Sequence, residues 1–201
     1  MKVTFVGISG GSGAGKTSLA GCLASLFSGE TSVLQFDCYY KDHGHLSLGE
    51  RKLVNYDHPD SLDKELFVTH LDELAAGRLI EVPVYDFETH TRTFETETIF
   101  SKPLIILDGI LLLVFPEIRS RLDLAVYIEA PQATRLARRV FRDVSERGRT
   151  EEGARSQFAS TVTPMHELYV APSLKEADLV LDGSISSEKT ARIVRGHLKN
   201  L

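Results

Sequence analysis

Cysteine is scarce: Cys22 and Cys38 are the two in 201 residues. Two thiols make no disulfide framework and no zinc-type spacing, so a reducing cytoplasm is the expected location. Long apolar runs are missing too. The runs at 104–107 and 110–115 fall far short of the roughly 20 residues that cross a bilayer, so no membrane partner is expected. Met1-Lys2 leads straight into a strand pattern, with nothing resembling a signal peptide. Positive charge is not in excess: 23 Lys and Arg stand against 28 Asp and Glu, a net charge of −5. That balance excludes a general polyanion-binding surface, and with it nucleic acid as a partner. There is no internal repeat, no low-complexity tract and no linker able to separate domains. What remains is an ordinary composition, 42% hydrophobic and 25% charged, in a chain long enough to bury one core. The expectation is one domain over 1–201.

The most informative stretch is 3–19, VTFVGISGGSGAGKTSL. It reads as an apolar strand, a glycine-rich turn and the start of a helix. Within it, Gly10, Gly15, Lys16 and Thr17 match G-x-x-x-x-G-K-T, the phosphate-binding loop. Backbone N–H groups of such a loop converge on one anion, and the helix N-terminus adds partial positive charge. Lys16 brings a full charge to the outer phosphates, and the Thr17 hydroxyl can ligate Mg²⁺. The nucleotide contacts expected are Gly10, Gly11, Ser12, Gly13, Ala14, Gly15, Lys16, Thr17 and Ser18.

Short apolar runs alternate with helical patterns along the rest of the chain. Strands are expected at 3–8, 33–36, 104–107, 124–128 and 179–181, and helices at 16–27, 64–76, 133–147, 151–161 and 187–198. Unalternating apolar strands between helices predict an α/β fold, a parallel sheet covered by helices on both faces. Such sheets bind ligands outside the carboxyl ends of their strands. The segment 77–100 breaks this rhythm. Its Thr, Tyr, Phe and Ile content predicts a β-hairpin lobe outside the main sheet. The region 41–62 reads as loop with a short helix around 48–53.

Several side chains could carry chemistry. Asp37 follows the second strand; it is either a general base for an attacking hydroxyl or a capping or turn residue. Asp108 closes the apolar run 104–107 in the Walker-B manner, where the carboxylate serves Mg²⁺. Arg135, Arg138, Arg139 and Arg142 form one stripe of a helix whose apolar face would be Leu136, Val140, Phe141 and Val144. Gly148 then ends the helix between Arg147 and Arg149 on a mobile turn. The stripe is either a solvated face, with pairs such as Arg139–Asp143 and Arg142–Glu146, or a lid over about 133–155 that neutralises phosphate charge. Tyr85, Phe87 and His90 cluster in the hairpin, as a stacking pocket for a planar base or as its hydrophobic plug. Cys22 is expected to be a packed residue. Cys38 has no activating base beside it and is assigned no catalysis.

These residues together resemble the uridine kinase (uridine–cytidine kinase) family of the phosphoribulokinase/uridine kinase group of P-loop kinases. The resemblance runs nearly the whole length: GISGGSGAGKTS, FDCYYKD, NYDHPDSLDKELFVTHLDEL, PVYDFETHTR, ILDGILLL, RLARRVFRDVSERGR and QFASTVTPMHELYVAPSLKEADLVL. YDHPDSLD and PVYDFETHTR discriminate far better than the P-loop. The resemblance implies ATP-dependent (or GTP-dependent), Mg²⁺-assisted phosphorylation of the 5′-hydroxyl of uridine or cytidine, on a P-loop NTPase fold. It implies that Asp37 activates the hydroxyl and that Asp57 holds the ribose with Tyr40 beside it. Tyr85, Phe87 and His90 would recognise the pyrimidine. Arg139, Arg149 and Gln157 would lie on the substrate side, Arg142 and Arg147 on the phosphate side, and Thr17, Asp37 and Asp108 around the metal. A homo-oligomer, often a tetramer, is implied as well.

Three positions depart from the family pattern. Asp108 stands where Glu is usual, one methylene shorter, so that Mg²⁺ would be reached through water. Cys38 replaces Ser. Asp182-Gly183-Ser184 stands in place of Pro-Arg-Gly-Gly, which bears on the choice between ATP and GTP. Two rival readings follow from the residues: a sister kinase of another small hydroxyl acceptor (ribulose phosphate, pantothenate or nicotinamide riboside), and a nucleotide-binding regulatory module without transfer activity.

Overall fold

The computed structural model of the chain describes residues 2–27 and 29–198. Five strands form one parallel sheet: β1 (Thr4–Gly10), β2 (Thr31–Gln35), β5 (Leu104–Asp108), β6 (Leu124–Glu129) and β7 (Leu179–Asp182), in the order β2-β5-β1-β6-β7. Their side chains alternate between two apolar layers, as period-two geometry requires. Val6, Ile8, Leu104 and Ile106 join one layer; Phe5, Ile105 and Leu107 join the other. Burial on both faces explains why these strands read as unbroken apolar runs.

Helix α1 (Lys16–Ser25) covers the first layer together with α8 (Ser187–Leu198), burying Leu19, Leu23, Ala191 and Val194. Helix α3 (Lys64–Ala75) covers the second. Asp63 caps it by accepting from the Leu66 N–H, and Phe67, Leu71 and Leu74 are fully buried. Burying each such side chain stabilises by roughly 1.5–3 kcal/mol.

The expected hairpin is present as β3 (Ile80–Asp86) paired antiparallel with β4 (Thr91–Ile99), separate from the main sheet. Short α2 (Leu48–Arg51) starts with a Ser47/Glu50 capping box, and its Arg51 donates to the Thr89 carbonyl in the hairpin turn. The chain further includes α4 (Pro116–Arg119), α5 (Gln132–Glu146), α6 (Glu151–Gln157) and α7 (Thr163–Met165). Strand 33–36 was expected to include Phe36. Instead β2 stops at Gln35, and Phe36 opens a 3₁₀ turn, Phe36–Tyr39, that carries Asp37.

The helix expected over 151–161 continues much further. Wide π turns at Phe158–Val162 and His166–Val170 flank α7, and a 3₁₀ segment runs over Ala171–Glu176. Pro164 and Pro172 lack the N–H that a regular α-helix would use there. No described helix is long and apolar enough to cross a membrane.

Helix α5 overturns the expected amphipathicity. Phe141 is 75% exposed and Val144 46%, whereas Arg135, Arg139 and Asp143 are buried. Of the expected apolar face, Val140 is buried. The inward side of α5 is polar because it faces the phosphate loop rather than the core.

Candidate active site

The carboxyl ends of β1, β2 and β5 open into one cleft of about 520 Å³, within the size range of small-molecule sites. Its floor is the loop between β1 and α1. Gly13 has φ of +80°, and a Cβ there would collide with the Arg135 carbonyl oxygen, so this turn requires glycine. Lys16 is buried and donates to the Gly11 carbonyl at 3.1 Å. Burial draws its pKa down, opposed by Asp108 and then by Asp37. The Thr17 hydroxyl donates to Asp108 Oδ2 at 2.6 Å. Burial raises the Asp108 carboxyl, opposed by Lys16 and Thr17. Burial thus disfavours the charged form of both groups, and each is the other's chief counter-charge.

Opposite the loop lie Asp37, Tyr40, Tyr56, Asp57, Tyr85, Phe87 and His90. The aromatic rings form a connected set: Tyr40–Tyr85 at 5.2 Å, Tyr40–Tyr56 at 5.4 Å and Tyr85–Phe87 at 5.2 Å. His90 stacks on Tyr56, centroids 4.9 Å apart and planes 12° apart. The backbone of His90 is left-handed, with φ of +55°, a conformation histidine adopts at a cost that the hairpin turn must hold. Burial raises the Asp57 carboxyl, opposed chiefly by Arg139, and the Thr161 hydroxyl lies 3.5 Å from Asp57 Oδ2. Burial pushes the Cys38 thiol up to about 11, which keeps it a packed thiol rather than a nucleophile. Cys22 is half-buried against the α1 layer.

Helix α5 forms the third wall. Arg139 donates to the Ser12 hydroxyl at 2.8 Å and to Gln157 Oε1 at 2.9 Å. Arg138 donates to the Ala14 and Gly183 carbonyls. The expected Arg142–Glu146 pair gives way to Arg142–Asp143 at 2.8 Å, because a fully buried carboxylate attracts more strongly than a solvated one. The turn expected to be mobile is anchored: Arg147 lies over the Phe87 ring at 4.3 Å, while Arg149 pairs with Asp143 and hydrogen-bonds Gln157. A second cleft of about 330 Å³ lies beyond the loop, lined by Ala14, Gly15, Ser18, Arg138, Asp182 and Gly183.

The structure brings the expected site residues to this one cleft except Gly10, Gly11 and Ala14, which belong to the loop without lining it. It adds Tyr56 and Asp143 to the aromatic and arginine clusters, Arg135 beneath the loop and Arg138 lining both clefts. Tyr56 adjoins Asp57 in the YDHPD motif, a signal that its neighbour obscured. Asp143 reads from sequence as one member of a surface i,i+4 pair.

Buried His90 and half-buried His166 give the fold an acid sensitivity. Burial, the largest cause in each, holds His90 and His166 down to about 4. The unfolded chain takes up protons below the ordinary value of 6.5, while these two rings stay neutral in the folded protein. Stability is unaffected by them above that value and is lost as pH falls from 6.5 towards 4. Each contributes a slope of up to about 1.4 kcal/mol per pH unit. Urea unfolding at pH 7.5, 6 and 5 checks this: His90→Gln should flatten the acid limb, and an unchanged limb in that variant would contradict it.

A parallel sheet with a glycine-rich Lys-Thr loop, an acidic residue at the end of β5 and an arginine-bearing helix over the cleft define a P-loop small-molecule kinase. The chain belongs to the phosphoribulokinase/uridine kinase family, whose model matches residues 5–191. It is 39% identical to the uridine kinase of Clostridium tetani over 198 residues, covering 98% of this chain and 95% of that one. With the uridine kinase of Vibrio cholerae it shares 40% identity over 202 residues, again 98% and 95% of the two chains. The phosphoribulokinase of Rhodobacter spheroides has the same fold, with a TM-score of 0.65 at 12% identity, over 90% of this chain and 70% of that one.

Proposed function

We propose that the chain phosphorylates the 5′-hydroxyl of uridine and cytidine, with a nucleoside triphosphate as donor. The observation that carries this reading is the arrangement of one cleft: phosphate loop on one side, Asp37, Asp57 and the aromatic set on the other. The triphosphate lies along Gly10–Ser18, with its base towards the second cleft. Arg138 and Asp182 line that cleft, and the donor is ATP or GTP. The nucleoside ring stacks within Tyr40, Tyr85 and Phe87 while His90, neutral at physiological pH, hydrogen-bonds its edge. A neutral imidazole donates from one nitrogen and accepts at the other, which suits both pyrimidines. Asp57 accepts from the ribose hydroxyls.

Asp37 accepts the 5′-hydroxyl proton as that oxygen attacks the γ-phosphorus, and the bond to the departing diphosphate breaks. Lys16, Arg142 and Arg147 balance charge on the transferring group. Thr17 and Asp108 suit Mg²⁺. They offer hard oxygen donors side by side at the end of the loop. Bound there, with Asp37 nearby, Mg²⁺ would neutralise phosphate charge.

The test is a steady-state comparison of uridine, cytidine, deoxycytidine, adenosine, nicotinamide riboside, pantothenate and ribulose 5-phosphate. Uridine and cytidine should be used best. The deoxy analogue should be much poorer, since its lack of a hydroxyl leaves Asp57 unpaired. His90→Ala should raise the nucleoside KM about tenfold or more, the worth of one buried hydrogen bond and stacking partner, and leave the ATP KM nearly unchanged. A preference for any other acceptor, or an unaltered uridine KM in His90→Ala, would overturn the assignment.

A further inference from the structure

We infer that Asp143 is the positioning residue of the lid, a buried carboxylate that holds four arginines in register until phosphate takes two of them. The inference rests on the kinase reading above. The Asp143 side chain is 0% exposed. Oδ1 accepts from Arg142 Nη2 at 2.8 Å and Nε at 3.0 Å, and lies 3.9 Å from Arg147 Nη1. Oδ2 accepts from Arg149 Nη1 at 3.2 Å and lies 3.3 Å from Arg139 Nε. The Asp143 carbonyl also accepts from the Arg149 N–H at 3.1 Å, which closes the turn after α5.

One fully buried carboxylate thus serves four guanidinium groups, of which Arg139 is buried and Arg142, Arg147 and Arg149 reach the cleft. Asp37 and Asp57 also act on Arg147 and Arg149, without ion-pair contact, so four positive charges meet three negative ones and the cluster gains when another anion arrives. The four arginines are not equivalent. Arg139 and Arg149 have further partners in Ser12 and Gln157, so they stay where they are. The two hydrogen bonds of Arg142 both end on Asp143 Oδ1, and Arg147 sits at long range from that oxygen over the Phe87 ring. Arg142 and Arg147 line the cleft and can exchange the carboxylate for phosphate oxygens. Asp143 then does two opposing things. It competes with phosphate for these guanidinium groups, which weakens ground-state binding. It also fixes their starting positions, which favours the transition state.

This predicts a split that a merely structural residue would not give. Asp143→Asn keeps the shape and removes the charge. Inorganic tripolyphosphate, titrated by calorimetry, should bind about threefold or more tighter, with a steeper salt dependence as the freed charges act. The kcat should fall about tenfold or more, because the arginines lose their common anchor. Weaker tripolyphosphate binding, or an unchanged kcat, would overturn the inference. Asp143→Glu gives the same decision should the Asn variant not fold. It keeps the charge and moves it by one methylene, so tripolyphosphate affinity should stay within about twofold while kcat falls about threefold or more; unchanged kcat there would also overturn it. The calorimetric arm needs no nucleoside, so it reads Asp143 even where the acceptor proves to be something other than a pyrimidine nucleoside.

Discussion

Asp37→Asn is expected to lower kcat by about 10²–10⁴-fold, the usual contribution of a general base, with nucleotide affinity nearly unchanged. Asparagine keeps the size and the 3₁₀ turn at Phe36–Tyr39 but cannot take a proton. The side chain lies in the cleft with Lys16 and Asp57, where an attacking hydroxyl would stand, and acts on the Lys16 charge. It is half-buried, so the substitution leaves no deep cavity and stability should hold. Single-turnover measurements with bound donor and saturating uridine separate the chemical step from release. Turnover near that of the parent protein would remove Asp37 from the mechanism and leave it a turn residue.

Lys16→Ala has the second large effect, and it acts on a different step. The ammonium is buried against Gly11 and faces two carboxylates. A phosphate placed on the loop without it would lack its counter-charge, a loss of about 2–5 kcal/mol for a buried pair. Transfer should fall by roughly 30- to several thousand-fold, since each 1.36 kcal/mol is tenfold. Unlike Asp37→Asn, the variant should also bind the triphosphate more weakly. Burial disfavours the Lys16 charge, but its removal leaves the buried Asp108 carboxylate without its chief counter-charge, so some stability should be lost as well. Calorimetric titration with the triphosphate reads the binding, and urea unfolding reads the stability. A folded variant with ordinary affinity and turnover would place the catalytic nucleotide elsewhere.

The strands, the loop and the hairpin were legible because local chemistry specifies them. An apolar run buried on both faces admits one reading, and G-x-x-x-x-G-K-T between strand and helix admits few. Helix α5 was half legible. Periodicity put Arg135, Arg138, Arg139 and Arg142 on one stripe but could not say which side of the helix turns inward. Hydrophobicity favoured Phe141 and Val144, and the structure turns both outwards. The cause is non-local. The carbonyls of Ala14 and Gly183 and the Ser12 hydroxyl accept from this stripe, and they belong to distant parts of the chain. Pairing by sequence spacing failed at Arg142 for a related reason: spacing favoured Glu146, while burial favoured Asp143.

By itself the sequence determined a parallel α/β sheet, a phosphate loop and the candidate acid, base and aromatic residues, since each depends on neighbours a few positions away. Tertiary structure alone decided how these meet. It stacked Tyr56 on His90 in one wall of the cleft and gathered four arginines on Asp143. It also pressed Arg135 beneath the phosphate loop. The reason is physical: the strength of a charge or a stacked ring depends on how much water surrounds it. That quantity belongs to the folded molecule, because the groups that exclude the water come from chain segments far apart in sequence.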